Sequence, residues 1–223
     1  MQTIIDFVLK YDYLAFALLI VLLIGLILLI KMIIKIVIGN FNEANVFKRL
    51  KKIYKTNDYP YIKEIILPIN KETYAYYDAI VFGNKFFYLI EIKNHKEQLF
   101  IDPLDDWYFV NKKKKIAFTN PFYELELKKH ILNRFLEIDK NRLIEVVVYN
   151  TVAVPKGNKG KNHLIAVNQI NALIKHYEQK DDLKSFGPDF IEKKGNYLLE
   201  IAINKKKIRK NVIEDLKSQR IKR

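Results

Sequence analysis

The sequence predicts an α/β domain that follows a single transmembrane helix. An uncharged apolar run occupies residues 13–30, and strand-like runs of apolar and aromatic residues occupy 61–69 and 73–94. Segments with helical spacing of apolar residues flank these runs at 41–55 and 120–138. A chain of 223 residues can hold one ordinary domain with additional segments.

Composition limits the chemistry that this chain can carry. It has no cysteine, which excludes a disulfide framework, a cysteine-ligated metal and a cysteine nucleophile. Its 39 Lys and Arg against 25 Asp and Glu give a net charge of +14. Such an excess favours a polyanionic partner, either nucleic acid or an anionic membrane surface. A lysine-rich surface that only maintains solubility is the alternative reading.

The apolar run near the N-terminus predicts a retained membrane anchor. Residues 13–30 carry no charge, and at about 1.5 Å per residue they extend roughly 27 Å, close to the hydrocarbon thickness of a bilayer. Apolar character continues to residue 38, so residues 1–38 form the anchor and 13–38 contact lipid. Basic residues are concentrated after this span, which predicts a single-pass protein of the cell membrane with its N-terminus outside and its remaining domain cytoplasmic.

Two strand-like runs around the Gly83–Asn84 dipeptide predict a β-hairpin. If these two residues form the whole loop, Asp78 lies opposite Leu89. Directly opposed residues share a face and side chains alternate along a strand, so Asp78, Glu91 and Lys93 project to the same side. The charges within the apolar sequence around Glu91 therefore converge on one face.

Two helices present a carboxylate at the start of an apolar stripe. In the segment 41–55, Glu43 shares a stripe with Val46 and Phe47. In the segment 120–138, Asn120 suits the N-cap and Pro121 the first helical position. Helical spacing in that second segment aligns Glu124 with Leu127, Ile131, Phe135 and Ile138.

The remaining chain predicts further strands and helices. One strand-like piece spans 106–118, and apolar strands are predicted within 141–154 and 163–167. Helical patterns occupy 168–179 and 189–218, the latter with a basic end.

Four charged side chains form the candidate catalytic group: Glu43, Asp78, Glu91 and Lys93. Carboxylates that converge on one point suit a hard divalent cation such as Mg²⁺. A neighbouring lysine can orient an attacking water and offset charge that develops on a phosphate. The alternatives stay open at this point. Glu91 and Lys93 also fit a solvated strand face with a cross-strand ion pair, and Glu43 also fits a first-turn carboxylate favoured by the helix dipole.

Several segments together resemble the NERD (nuclease-related) domain family of the PD-(D/E)XK nuclease superfamily. They are NEANVFKRL (42–50), YDAIVFGNKFFYLIEIKN (77–94), Trp107 and NPFYE (120–124). The resemblance implies a restriction-endonuclease-like mixed central sheet flanked by helices, in a domain that we place at 39–180 before a basic helical region at 181–223. It also implies that Glu43 is the helical acidic residue, that Asp78 and Glu91 are the metal-binding carboxylates and that Lys93 is the catalytic lysine. We expect these three carboxylates to hold Mg²⁺ (or Mn²⁺).

One position departs from the family pattern. The family usually has glutamine where this chain has Glu124. Glutamine can donate a hydrogen bond to phosphate, whereas an ionised glutamate only accepts. Glu124 therefore either joins the metal site or alters catalysis.

Other residues give weaker signals. Lys112, Lys113, Lys114 and Lys115 could follow a phosphate backbone or an anionic lipid surface. His95 could serve as an auxiliary proton carrier, although it also fits a surface histidine. The expected function is membrane-anchored, metal-dependent hydrolysis of phosphodiesters in DNA or RNA. The alternative is an inactive membrane-tethered module that binds nucleic acid or another partner.

Overall fold

A computed structural model describes most of the chain after residue 43 and a short stretch before it. The described residues are 20–30, 44–70, 73–93, 97–111, 114–149, 154–160, 162–180 and 182–203. The chain divides into two compact units, Met1–Asn42 and Glu43–Arg223.

The described part of the first unit is helical over residues 20–30, and its apolar side chains are exposed. In the part of the chain that the structure describes, no helix has both the length and the apolar character needed to cross a bilayer. Most of the predicted span 13–38 lies outside the described residues.

The second unit alternates strands and helices. Its strands are β1 (Tyr61–Pro68), β2 (Tyr74–Phe82), β3 (Phe87–Lys93), β4 (Leu99–Ile101), β5 (Trp107–Asn111), β6 (Lys114–Phe118), β7 (Leu143–Tyr149), β8 (Lys156–Gly157) and β9 (His163–Ala166). Its helices are α1 (44–57), α2 (Pro121–Leu136), α3 (Ile170–Glu178) and α4 (Pro188–Ile201). The predicted single strand within 106–118 is wrong, because β5 and β6 form an antiparallel pair there.

The strands form two mixed sheets. The central sheet has the order β1-β2-β3-β7-β9, in which β1, β2 and β3 are antiparallel neighbours and β7 and β9 continue parallel to β3. The smaller sheet has the order β6-β5-β4-β8, with only the β4–β8 pair parallel. The predicted α/β class with a mixed sheet flanked by helices is therefore confirmed.

Each face of the central sheet packs against two helices. On one face, Leu89 and Val147 join apolar side chains of α2 and α4, including the fully buried Leu132 and Leu198. On the other face, neighbouring strand residues such as Tyr88 pack with α1 and α3. Because strand side chains alternate, Glu91 and Lys93 share the face of Leu89 and point towards α2.

The predicted hairpin is present, but its loop is two residues longer. Phe82 pairs with Phe87, which leaves Gly83–Phe86 as the loop. Continued beyond the last aligned pair, Ala79 with Ile90, this register places Asp78 opposite Glu91. A displacement by two residues preserves the face of every side chain, because the period along a strand is two. The predicted pairing of Asp78 with Leu89 is thus wrong, while the shared face holds.

Glu178 of α3 explains the longer loop. Its carboxylate accepts hydrogen bonds from the backbone N–H groups of Lys85 (2.8 Å) and Phe86 (3.2 Å) and from the Tyr88 hydroxyl (2.8 Å). A Cβ on Gly83 would lie 2.3 Å from Glu178 Oε1, so only glycine leaves room for this carboxylate. The loop conformation is therefore set by a residue more than ninety positions later.

Helix α2 starts where the sequence predicts. Asn120 accepts a hydrogen bond from the backbone N–H of Phe122 (3.0 Å), and Pro121 opens the helix, which confirms both assignments. The predicted stripe is wrong at Leu127, which is 62% exposed, whereas Ile131 and Ile138 are buried and Phe135 packs against the core. The buried face contains Leu125, Ile131, Leu132, Leu136 and, unexpectedly, Lys128.

Candidate active site

Glu91 is the centre of the candidate site. It is fully buried on β3, and each of its carboxylate oxygens faces an ammonium group. Oε1 accepts from Lys93 Nζ at 2.9 Å, and Oε2 accepts from Lys128 Nζ at 2.6 Å. An ionised carboxylate is costly to bury unless it is paired and hydrogen-bonded, so the two lysines are what allow this glutamate inside the fold.

Lys93 links Glu91 to helix α2. Its Nζ lies 3.7 Å from Glu124 Oε2, in addition to the shorter contact with Glu91. Glu124 is in the first turn of α2, where the helix dipole also favours a negative charge. The structure thus brings Lys93, Glu91 and Glu124 into one charged network.

Asp78 lies where strand β2 changes the direction of its side chains. Tyr77 and Ile80 pack in the same core cluster, so the alternation is interrupted at Asp78. Pairing with β1 continues on both sides of this point, and Glu64, which lies opposite by register, has a φ of 49°. Such local irregularities often re-aim a side chain near a functional site.

The surroundings of Asp78 disfavour its charge. Burial and the charge of Glu91 raise the pKa of Asp78 to about 7, against opposing contributions from Lys128, the Ile92 amide and Lys93. The hydrogen bond from Ile92 N to Asp78 Oδ2 is 2.7 Å long. Asp78 and Glu91 therefore lie close enough for their charges to interact.

Lys128 belongs to the network, but the sequence reasoning missed it. Its residue exposure is only 8%, and its backbone carbonyl accepts a hydrogen bond from the Tyr77 hydroxyl at 2.9 Å. The sequence does indicate that Lys128 lies on the buried face of α2, because it follows Leu125 by three residues and precedes Leu132 by four. A lysine on the apolar stripe of a helix either extends its ammonium to solvent or pairs it with a buried anion.

The start of α2 is fixed by buried polar contacts. Asn120 is fully buried, and its Nδ2 donates to the Asp102 carbonyl at 3.1 Å. The same carbonyl accepts from Trp107 Nε1 at 2.8 Å. Trp107 is buried and packs edge-on against Phe122, so it serves the core. These contacts fix the start of α2, the helix that carries Glu124 and Lys128, to the loop between β4 and β5.

The structure describes only two of the other predicted site residues, Lys114 and Lys115. Glu43, His95, Lys112 and Lys113 lie outside the described residues. Lys114 and Lys115 are exposed on β6, and the Lys115 ammonium lies 5.0 Å from the centre of the Tyr108 ring.

The described residues offer a divalent cation only a small set of possible ligands. Two carboxylates, Asp78 and Glu91, lie together, and a cation would relieve the repulsion that helps raise the pKa of Asp78. Mg²⁺ commonly binds through one or two carboxylates and keeps several waters. Within the described ranges, no group of three or more His, Cys, Asp or Glu residues is placed to hold a metal. Asp78 and Glu91 are thus the described residues that would hold an ion.

Comparison with known families decides the assignment. The sequence profile of the family described as "NERD: Nuclease-related domain" matches residues 38–155, more than half of the chain. The chain belongs to the nuclease-related domain family. No curated protein and no solved structure matches it significantly.

The NERD match covers every residue of the charged network. It includes β2 and β3 with Asp78, Glu91 and Lys93, and the whole of α2 with Glu124 and Lys128. It ends before β9, α3 and α4, although these elements complete the central sheet and both cores.

Proposed function

We propose that this NERD-domain protein hydrolyses phosphodiester bonds of DNA or RNA with the help of Mg²⁺ or Mn²⁺. The observation that carries the proposal is the buried Glu91 carboxylate, which lies beside Asp78 and 2.9 Å from the Lys93 ammonium. Adjacent acids next to one lysine supply the charges that metal-assisted phosphodiester hydrolysis needs. The restriction-endonuclease-like form of the central sheet is part of this proposal, supported by its mixed strand order and the helices on both faces.

In this proposal the carboxylates and the lysine have different roles. Asp78 and Glu91, joined by Glu43, would hold the ion, which when bound would polarise the phosphodiester and acidify a water. Lys93 has three N–H donors, of which one reaches Glu91. Another can hold the attacking water or a phosphate oxygen, because the Lys93 side chain retains some exposure to solvent. Glu124 keeps that ammonium beside the site.

Membrane anchoring remains part of the proposal. The support is the uncharged run 13–30, the apolar continuation to residue 38 and the basic residues that follow. We expect the protein in the cell membrane with its nuclease-related domain cytoplasmic. Retention in the membrane fraction after an alkaline wash tests this, and release into the wash would contradict it.

Lysines of the second sheet are proposed to contact the substrate backbone. Lys114 and Lys115 are exposed on the edge strand β6, and Lys112 and Lys113 precede them in the chain. Lysines that neutralise phosphates release counterions, so binding should weaken steeply as salt increases.

A nuclease assay on the full-length chain tests the catalytic proposal. Labelled single-stranded DNA, duplex DNA and RNA are incubated with Mg²⁺ or with EDTA. Lys93→Met should lower the metal-dependent rate by roughly 10²- to 10³-fold, because it removes the charge that stabilises the transition state. Lys129→Met is the matched control, since Lys129 also pairs with a glutamate, Glu145, at 3.2 Å. Equal rates for both variants would contradict the assignment of Lys93.

A nucleic-acid-binding module without catalysis is the second candidate function. The observation that favours it is that both oxygens of Glu91 already accept hydrogen bonds from lysines. Salt-sensitive binding without cleavage of any substrate in the same assay would select this candidate.

A further inference from the structure

Lys128 occupies a position that a cation of the proposed metal site would need. Its Nζ lies 2.6 Å from Glu91 Oε2, and the lysine is buried on the apolar face of α2. Hydrogen bonds between ammonium and carboxylate groups are short and strong. Glu91 Oε2 therefore faces the positive charge of the Lys128 ammonium.

We propose that Lys128 is a resident counter-cation, which holds Glu91 when no divalent ion is bound and must yield Oε2 to the ion. This inference rests on the proposed metal-dependent function and adds a residue that sets the affinity for the ion. Lys128 is thus a positioning residue, since it acts through Glu91.

The charges of the network support this exchange. Three carboxylates (Asp78, Glu91 and Glu124) face two ammonium groups (Lys93 and Lys128) in the described network. The two lysines offset most of the negative charge, so a divalent ion that entered with both of them in place would make the network net positive. Like charges in a buried site repel strongly because the local dielectric is low. Displacement of one ammonium from Glu91 removes part of this repulsion.

The fold allows the ammonium to move while the helix stays in place. The Tyr77 hydroxyl fixes the Lys128 carbonyl at 2.9 Å, and α2 packs into the core through Leu125 and Leu132. The lysine stem has four carbons with several rotatable bonds, so Nζ can withdraw without a change in the backbone. The withdrawn charge stays beside the site, where it attracts a phosphate.

Mn²⁺ binding to the full-length chain, measured by titration calorimetry, tests the inference. Lys128→Met should bind Mn²⁺ about tenfold more tightly than the wild type, since one charge-assisted hydrogen bond no longer competes for Glu91. Lys128→Arg should bind it more weakly, because a guanidinium holds a carboxylate through two parallel hydrogen bonds. Lys129→Met removes the same charge from the neighbouring position and controls for long-range electrostatics. Its Kd should stay close to the wild-type value.

Thermal unfolding gives a second readout that does not depend on activity. In EDTA, Lys128→Met should unfold at a lower temperature than the wild type, because Glu91 loses a partner. Added Mn²⁺ should then raise its Tm by more than it raises the wild-type Tm. If Lys128→Met does not fold, Lys128→Arg alone decides, and a Kd no weaker than that of the wild type overturns the inference.

The outcomes separate this inference from the proposed function. Wild-type-like Mn²⁺ affinity in the Lys128 variants, together with metal-dependent cleavage, overturns the inference alone. Absence of Mn²⁺ binding in every variant, with no cleavage, overturns both.

Discussion

Asp78→Asn should stabilise the metal-free protein, and more strongly as the pH rises. Asparagine keeps the shape of the side chain, and its Oδ1 can still accept the hydrogen bond that Ile92 N makes to Asp78 at 2.7 Å. It cannot ionise, however. The substitution therefore removes the unfavourable charge while it retains the structural contact.

The structure sets the size of this effect. Burial and Glu91 raise the pKa of Asp78 from 3.8 to about 7. Each pKa unit corresponds to about 1.4 kcal/mol, so the full difference amounts to about 4 kcal/mol. Relaxation and water entry weaken electrostatic penalties at buried sites, so we expect about 2 to 4 kcal/mol.

The sign of the pH dependence follows from proton uptake. Below the unfolded pKa of 3.8, Asp78 is protonated in both states and carries no penalty. Between 3.8 and about 7 the unfolded chain loses this proton while the folded chain keeps it, so wild-type stability falls as the pH rises. Above about 7 the folded carboxyl is also ionised and the full penalty is present.

Urea unfolding in EDTA, followed by the fluorescence of Trp107, measures this difference. Trp107 is the single tryptophan and is buried, so its emission reports on unfolding of the second unit. The stability gain of Asp78→Asn over the wild type should grow by about 2 to 4 kcal/mol between about pH 4 and about pH 8. Asp105→Asn, at an exposed carboxylate, controls for the loss of one charge. A gain that does not change with pH would refute the reasoning.

Two further predictions concern the contacts that position the site. Asn120→Ala should lower the free energy of unfolding by roughly 2 to 3 kcal/mol, because it removes the cap of α2 and a buried donor to the Asp102 carbonyl. Asn120→Ser, which keeps an uncharged cap acceptor, should lose less in the same urea titration, and equal losses would show that the cap hydrogen bond contributes nothing. Glu178→Ala should cost roughly 2 to 4 kcal/mol and speed hydrogen exchange at the Lys85 and Phe86 amides. Unchanged exchange at these amides would show that the carboxylate does not hold the loop.

Local patterns predicted a large part of this fold. The N-cap at Asn120 and the opening Pro121 depend on the backbone groups of one helical turn, so neighbouring residues reveal them. The hairpin and the shared face of Asp78 and Glu91 follow from the two-residue period of a strand. A loop that is longer by an even number of residues leaves each side chain on the same face of the sheet.

Such local patterns could not predict which residues contact Glu91. The helical spacing of α2 fits two stripes, and only its packing against β3 shows that Lys128 is buried and Leu127 exposed. The interrupted alternation of side chains at Asp78 was also beyond such patterns, and it lies opposite Glu64 of β1, whose φ is 49°.

By itself, the sequence determined the α/β class, the order of the main elements and the acids and lysine that share a strand face. These depend on contacts between residues a few positions apart, which periodicity and capping reveal. Only the tertiary structure decided that Lys128 binds Glu91, that Lys93 reaches Glu124 and that Glu178 shapes the hairpin loop. Those contacts join residues far apart in the chain, and their geometry exists only after helices and sheet have packed together.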